Sequence, residues 1–246
     1  MTNFKKLTSI TALLPLSVAV ILSGCGSDDD MSAAVVSGSS SSAPVVTVMA
    51  EYEVSITNGS AKQLLAPAAV LLNAQSLNLW SVGMPASAAL EQLAESGSPD
   101  ALMASVTVDD SASLGATPPG VMSSVMLSLP ATMPAYVSFA AMPVYTNDGF
   151  VGVQNIDVSN LTIGDSIQLI APVYDAGTEA NTESLSTLPG PDVGGEGYSV
   201  DRDDIHDYVT RHAGIVSNDD GLTSSVLDES YRFDSGSFHL EITRVK

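Results

Sequence analysis

Beyond residue 45, most of the chain alternates apolar and polar residues with the period of two that is typical of β-strands. In such a strand, alternate side chains face a core while the others face solvent. Turn-forming pairs such as Asn58-Gly59 separate the alternating stretches. Strands are predicted in this way over residues 46–56, 121–129, 136–144, 150–158, 167–173 and 238–245. Short alternating strands divided by turns predict an antiparallel β-sandwich.

One stretch has helical spacing instead. Residues 87–95 are rich in alanine and lie between Pro85 and Gly97, two residues that often bound a helix. Its apolar side chains fall on one face, as expected of core packing rather than a ligand site: Leu90, Leu93 and Ala94. A second short helix is predicted over residues 99–104. The predicted fold class is therefore all-β, an antiparallel β-sandwich with one or two short helices in its connections.

The N-terminus has the pattern of a lipoprotein export signal. Lys5 and Lys6 are followed by residues 7–22, which carry no charge, and then by small residues that lead to Cys25. The apolar run is interrupted by Pro15 and is shorter than the about 20 residues that a membrane span requires. A cleaved signal is therefore favoured over an uncleaved membrane anchor, and the thiol of Cys25 is the predicted site of lipid attachment.

These features divide the chain into a signal peptide (1–24), a lipidated cysteine with a tether of Ser, Gly and Asp residues (25–45), and a folded domain (46–246). A tether of this composition buries too little apolar surface to fold. The predicted membrane partner is reached through the lipid on Cys25. Gly26 stands where an Asp would favour retention at the inner membrane, so we expect a lipid-anchored protein of the cell envelope at the outer membrane.

Cysteine content and charge exclude several functions. Cys25 is the only cysteine, so the domain has no disulfide, thiolate zinc site or cysteine nucleophile. Loss of Lys5 and Lys6 with the signal leaves six basic against 28 acidic residues, a formal charge of −22. This balance disfavours nucleic acid, which requires clustered basic residues. It suits solubility at high salt, binding of divalent cations, or a basic partner.

Several short stretches form a distinctive series along the chain. The two most specific are Asn-Asp-Gly-Phe-Val-Gly (147–152) and Asp-Ala-Gly-Thr-Glu-Ala-Asn (175–181), and the others are residues 52–58, 79–87, 90–97 and 194–197. In this order they resemble the spondin N-terminal domain as it occurs in bacterial secreted proteins. The resemblance extends over nearly all of residues 48–245.

The resemblance implies a C2-like antiparallel β-sandwich with a calcium site in its end loops. Carried over by position, the metal ligands would be Asp148, Asp175 and Glu179. Glu179 departs from the Asp that animal members often have there. This chain also lacks the cysteines of the animal domains, and residues 201–230 match less well, which leaves a partner site in that stretch open. Animal relatives belong to matrix and adhesion proteins.

Independently of the resemblance, the chemistry of these residues is consistent with a calcium site. Calcium takes six to eight oxygen ligands, preferably carboxylates and carbonyls. Gly177 permits a sharp turn, so that Glu179 can point back towards Asp175 and Asp148. The alternative stays open that these are ordinary surface acids, because acids are abundant here and two acids four residues apart are common.

A hydrolase is the second hypothesis. Gly164-Asp165-Ser166-Ile167 is similar to the nucleophile block of one class of esterases, and Asp203-x-x-His206 would supply the other triad members. In those enzymes the nucleophile lies between a strand and a helix, whereas Ser166 precedes a predicted strand. The spacings of His206, His212 and His239 fit no common zinc pattern. Tyr52 and Trp80 are interpreted as core residues rather than as a platform for a sugar.

Three functions are therefore carried forward. We favour a calcium-binding module on the cell surface, used for adhesion or ligand binding without catalysis, with an extracellular protein or glycan as its ligand. The alternatives are a secreted serine esterase that uses Ser166 and His206, and a structural envelope lipoprotein.

Overall fold

Two antiparallel sheets face each other in the computed structural model, which describes residues 46–246. The predicted signal peptide, the lipidation site Cys25 and the tether lie outside the described residues. The first sheet has the strand order β4-β1-β10-β7 and the second the order β3-β2-β5-β6-β8-β9. The strands are β1 (Met49–Asn58), β2 (Ala68–Asn73), β3 (Asp110–Leu114), β4 (Met122–Pro130), β5 (Tyr136–Ala141), β6 (Gly149–Asp157), β7 (Ser166–Ile170), β8 (Val173–Asp175), β9 (Thr210–Arg211) and β10 (Phe238–Arg244).

Two short α-helices and two 3₁₀ turns interrupt the strands. They are α1 (Ala88–Ser96), α2 (Asp100–Ala104), and single turns at Asn218–Asp220 and Glu229–Tyr231. The prediction of an all-β sandwich with short helices in its connections is confirmed. No helix within residues 46–246 is long and apolar enough to cross a membrane.

The main core lies between the sheets, and the alternation seen in the sequence is its cause. Tyr52, Val54 and Ile56 point inward from β1, and Val54 pairs with Ile242 of β10 on one side and with Val125 of β4 on the other. Burial of one strand face explains why β1, β4 and β10 are recognisable from their period of two.

A second core lies on the opposite face of the six-stranded sheet, beneath the helices. In β2, Val70 and Leu72 face the sandwich core, whereas Ala69 and Leu71 face this helical layer. Every residue of β2 is therefore buried. A strand buried on both faces has no alternation, which is why β2 was not predicted.

Helix α1 was predicted correctly, together with its apolar face. Ser87 accepts a hydrogen bond from Leu90 N–H at the start, and Gly97, at φ 71°, donates to Leu93 O at the end. The apolar face, formed by Leu90, Leu93 and Ala94, packs in the helical layer. In the same layer the rings of Trp80 and Phe150 meet edge to face, with their centroids 5.1 Å apart. Both predicted core aromatics are indeed buried: Tyr52 and Trp80.

The predicted strand 167–173 is two strands in different sheets. β7 ends at Ile170 in the four-stranded sheet, and β8 begins at Val173 in the six-stranded sheet. Between them, Ala171 N–H still bonds Phe238 O at 2.9 Å, whereas Pro172 has no N–H to continue the ladder. The change of sheet carries the chain across the sandwich and places Asp175 at the end of β8.

Candidate metal centre

Strand pairing brings two of the predicted ligands together. Asp148 precedes β6 and Asp175 ends β8, and these strands pair in the register Gly149 opposite Asp175. Ala176 N–H also bonds Asp148 O at 3.1 Å. The loop before β6 and the loop after β8 therefore share one end of the six-stranded sheet.

Gly177 turns the chain sharply after β8. Its φ is 72°, a conformation that favours glycine. A Cβ at this position would lie 2.7 Å from the carbonyl oxygen of His206, because residues 206–208 pass directly over it. The turn brings the backbone N–H groups of Thr178 and Glu179 to Asp148.

Asp148 is a fully buried carboxylate of which only one oxygen is satisfied. Its Oδ2 accepts hydrogen bonds from the backbone N–H of Thr178 at 2.7 Å and of Glu179 at 3.1 Å. Its Oδ1 is buried without any hydrogen-bond partner. Leaving a buried polar atom unpaired costs about 1–3 kcal/mol, and more when the group is charged.

The other two predicted ligands differ in how they are engaged. Asp175 accepts a hydrogen bond at each oxygen, from Gly177 N–H at 2.8 Å and from Asn181 Nδ2 at 2.6 Å. Glu179 accepts only a long one, 3.5 Å from Asn147 Nδ2. Glu179 is therefore less engaged than Asp175, each of whose oxygens already has one donor.

A fourth carboxylate, Glu95 of α1, belongs to the same cluster and was not predicted. Thr178 Oγ1 donates to Glu95 Oε1 at 2.7 Å, and Ser199 N–H donates to Glu95 Oε2 at 2.9 Å. The available signal was the spacing of Glu91 and Glu95, four residues apart beside the apolar face of α1. Both are buried, which is unusual for an acid.

Crowding of these acids changes their protonation. Burial, and then the neighbouring charge of Asp175, raise the pKa of Asp148 to about 7. Burial, and then the charge of Glu95, raise the pKa of Glu179 to about 8. Burial likewise raises the pKa of Glu95. Within residues 46–246, none of the ion pairs includes any of these four acids. The charge of Arg202 lowers the pKa of Glu95, but it is the smallest of the influences on that carboxyl.

A cavity of about 280 Å³ opens beside Glu179. Apart from Ala180, every lining residue offers a side-chain oxygen: Asn147, Glu179, Thr187, Glu196, Ser199, Asp201 and Asp203. Oxygen donors of this kind are those that calcium prefers. The segment that carries Asp203 is fixed over the cavity, since Asp203 accepts from Ala180 N–H at 2.7 Å and its own N–H bonds Thr178 O at 3.1 Å.

The donor chemistry fits calcium, but the ligand shell is not closed. As the side chains stand, residues 46–246 contain no group of three or more His, Asp or Glu side chains close enough to hold one ion. Among the predicted ligands, the oxygens with the fewest hydrogen-bond partners are Asp148 Oδ1, which has none, and those of Glu179. Calcium tolerates carbonyl and water oxygens in its shell, and these would complete it.

The residues of the hydrolase hypothesis do not meet. Ser166 is exposed at the start of β7 and pairs with Thr243 in the four-stranded sheet. The backbone of His206 lies over Gly177, beyond the end of the six-stranded sheet. The centroid of its ring is 5.6 Å from that of Tyr208. No hydrogen bond joins Ser166 to His206.

No protein-family model matches this chain, and no curated protein matches it. The resemblance to the spondin N-terminal domain therefore rests on the residues themselves and stays a prediction, as do the calcium ligands that it implies.

Proposed function

We propose that this chain is an exported binding module that uses calcium to organise its end loops, and that it acts without catalysis. The observation that carries the proposal is the unpaired Oδ1 of Asp148. It is a fully buried carboxylate oxygen without a partner, in a cluster whose acids repel one another. A divalent cation would both pair with that oxygen and offset the repulsion.

The place of the cluster favours binding over a purely structural role. End loops that are held by a rigid sandwich commonly carry binding sites. The lipid predicted on Cys25 would hold the module at the cell envelope, with the outer membrane as the expected location. An extracellular protein or glycan is the expected ligand, in an adhesion role like that of the animal proteins whose spondin N-terminal domain the chain resembles. The acidic surface disfavours nucleic acid.

The test is thermal unfolding of the mature chain with calcium or with an equal concentration of magnesium. Magnesium screens surface charge equally but demands a tighter octahedral shell. If the dissociation constant is about 10⁻⁴ M, calcium at a hundredfold excess adds about 2.7 kcal/mol to the free energy of unfolding. For a domain of this size that raises the Tm by roughly 5–10 °C.

Two variants make the test specific. Asp148→Asn should abolish the part of the Tm increase that calcium produces beyond magnesium. Asp219→Asn, which alters an exposed acid in the first 3₁₀ turn, should leave that part intact. Equal stabilisation of the wild type by calcium and magnesium, unaffected by Asp148→Asn, would contradict the proposal.

A further inference from the structure

Large apolar side chains are exposed beside the candidate metal centre. Ile205 is 89% exposed and Val200 is 76% exposed. The segment that carries these two residues adjoins the loop that carries Val82 and Met84. Gly83 N–H bonds Val209 O at 2.8 Å, and Val209 N–H bonds Met84 O at 2.9 Å. We call this surface the apolar rim, and define it as Val82, Met84, Tyr198, Val200, Ile205 and Tyr208.

Polar contacts hold the 198–208 part of the rim in place. Ser199 N–H donates to Glu95 at 2.9 Å. The guanidinium of Arg202 binds Glu91 through Nε at 2.9 Å and Asp207 through Nη1 at 2.6 Å. These contacts hold the segment in place, while its apolar side chains face solvent. Apolar side chains that cluster on a surface mark interaction sites more often than chance exposure does.

The charges between these apolar side chains are negative. Asp201, Asp203, Asp204 and Asp207 lie in the same segment. Its one Arg or Lys residue, Arg202, is already engaged by Glu91 and Asp207. Partners are selected by complementary charge. The rim therefore complements a surface on which cationic and apolar side chains alternate.

After loss of the predicted signal peptide with Lys5 and Lys6, little in this chain remains to supply such a surface. Residues 25–45 contain neither Lys nor Arg. Every basic side chain of residues 46–246 is already engaged elsewhere in the domain: Lys62 with Asp228, Arg202 with Glu91, Arg211 with the Tyr174 ring, Arg232 with Asp220, Arg244 with Leu161 O, and Lys246 with Glu51. A second copy and the tether are therefore poor occupants, and an anionic membrane would be repelled.

We propose that the apolar rim docks a segment of a partner protein that carries lysine or arginine side chains beside apolar ones. The proposal names the class of ligand for the binding module described above and rests on that function, although the rim itself needs no metal. Tyr198 and Tyr208 suit this role, since tyrosine is enriched in the centres of interfaces.

The probe is a synthetic amphipathic peptide of leucine and lysine, titrated calorimetrically into the mature chain. Its counterpart, with glutamate in place of lysine, should not bind. Ile205→Ser should weaken binding of the lysine peptide roughly tenfold, as expected for one large apolar side chain lost from an interface. Ile163→Ser, which alters an equally apolar side chain that is 68% exposed in another loop, should leave the affinity unchanged. Both variants should keep the wild-type Tm, because neither side chain is packed.

Equal binding of the two peptides, or equal affinity of wild type and Ile205→Ser, would overturn the proposal. Binding to phosphatidylglycerol vesicles that depends on Ile205, without binding of the peptide, would also overturn it in favour of a lipid surface. Repeating the titration in a chelator separates the two proposals. Calcium stabilisation without peptide binding contradicts the rim alone, and peptide binding without calcium stabilisation contradicts the metal centre alone.

Discussion

Glu95 and Thr178, 83 residues apart in the sequence, are joined by a hydrogen bond of 2.7 Å between Glu95 Oε1 and Thr178 Oγ1. The same hydroxyl lies 3.3 Å from Asp148 Oδ2. A threonine hydroxyl has one proton to donate, so it can satisfy only one of these carboxylates at a time. The contact ties α1 to the loop after β8 and brings Glu95 into the acidic cluster.

Loss of the Glu95 carboxylate should loosen the segment above the cavity. In Glu95→Ala, no carboxylate oxygen would remain to accept from Ser199 N–H, which would lose its partner. We expect the free energy of unfolding, measured in urea, to fall by about 1–2 kcal/mol. Glu196→Ala, a change at an exposed acid nearby, should stay within about 0.5 kcal/mol of the wild type. Equal losses in the two variants would show that the Ser199 contact contributes nothing.

Stability without metal should fall as the pH rises from about 5 to about 8. Asp148 and Glu179 have pKa values of about 7 and about 8 in the folded protein, above their ordinary values of 3.8 and 4.5. The folded state therefore binds more protons than the unfolded state in this window, so each unit of pH costs stability. His212 acts in the opposite direction below its ordinary pKa, because burial lowers its pKa.

The contribution of Asp148 can be isolated by comparing Asp148→Asn with the wild type across that pH range in a chelator. The variant should lose part of the downward slope, on the order of 1–3 kcal/mol over the range. His212 is present in both proteins and cancels in the comparison. Parallel pH profiles would mean that Asp148 does not titrate in this window.

Gly177→Ala should destabilise the protein by more than its backbone conformation alone explains. A positive φ costs a non-glycine residue about 1–2 kcal/mol, and the added Cβ would also displace the His206 carbonyl. Gly221→Ala is the matched control, since Gly221 has a φ of 102° and nothing within 4 Å of its Cβ position. The difference between their unfolding free energies measures the close approach. No difference would mean that residues 206–208 yield freely.

Ser166→Ala should leave the protein's properties unchanged, because Ser166 is exposed and makes no hydrogen bond to His206. The wild type should hydrolyse short acyl esters no faster than buffer. Reproducible hydrolysis that Ser166→Ala abolishes would promote the esterase hypothesis over the binding module.

Cys25→Ser should block lipidation, because the thiol is where a diacylglycerol would be attached. Metabolic labelling with a palmitate analogue in a bacterial host should mark the wild type and not the variant, and the variant should remain as uncleaved precursor. Labelling of the variant at the wild-type level would contradict the prediction of a lipoprotein.

Local signals in the sequence determined the elements whose pattern reflects one buried face. β1, β4 and β10 alternate because only one of their faces meets the core, and α1 has its N-cap serine, C-cap glycine and apolar face within a single stretch. The likeness of residues 147–152 and 175–181 to a known motif also singled out Asp148, Asp175 and Glu179, since each motif is a short contiguous stretch of the chain.

Tertiary structure alone decided the rest, because the remaining relationships depend on which strands pair. β2 lacks alternation since a helical layer covers its second face, and the change of sheet at Pro172 has no periodic signature. The pairing of Gly149 with Asp175 sets Asp148 beside Asp175. Packing of α1 on the six-stranded sheet buries Glu95 against Thr178. Burial of Asp148 between the two end loops leaves its Oδ1 without a partner. Such contacts join residues far apart in the chain, and no local pattern records them.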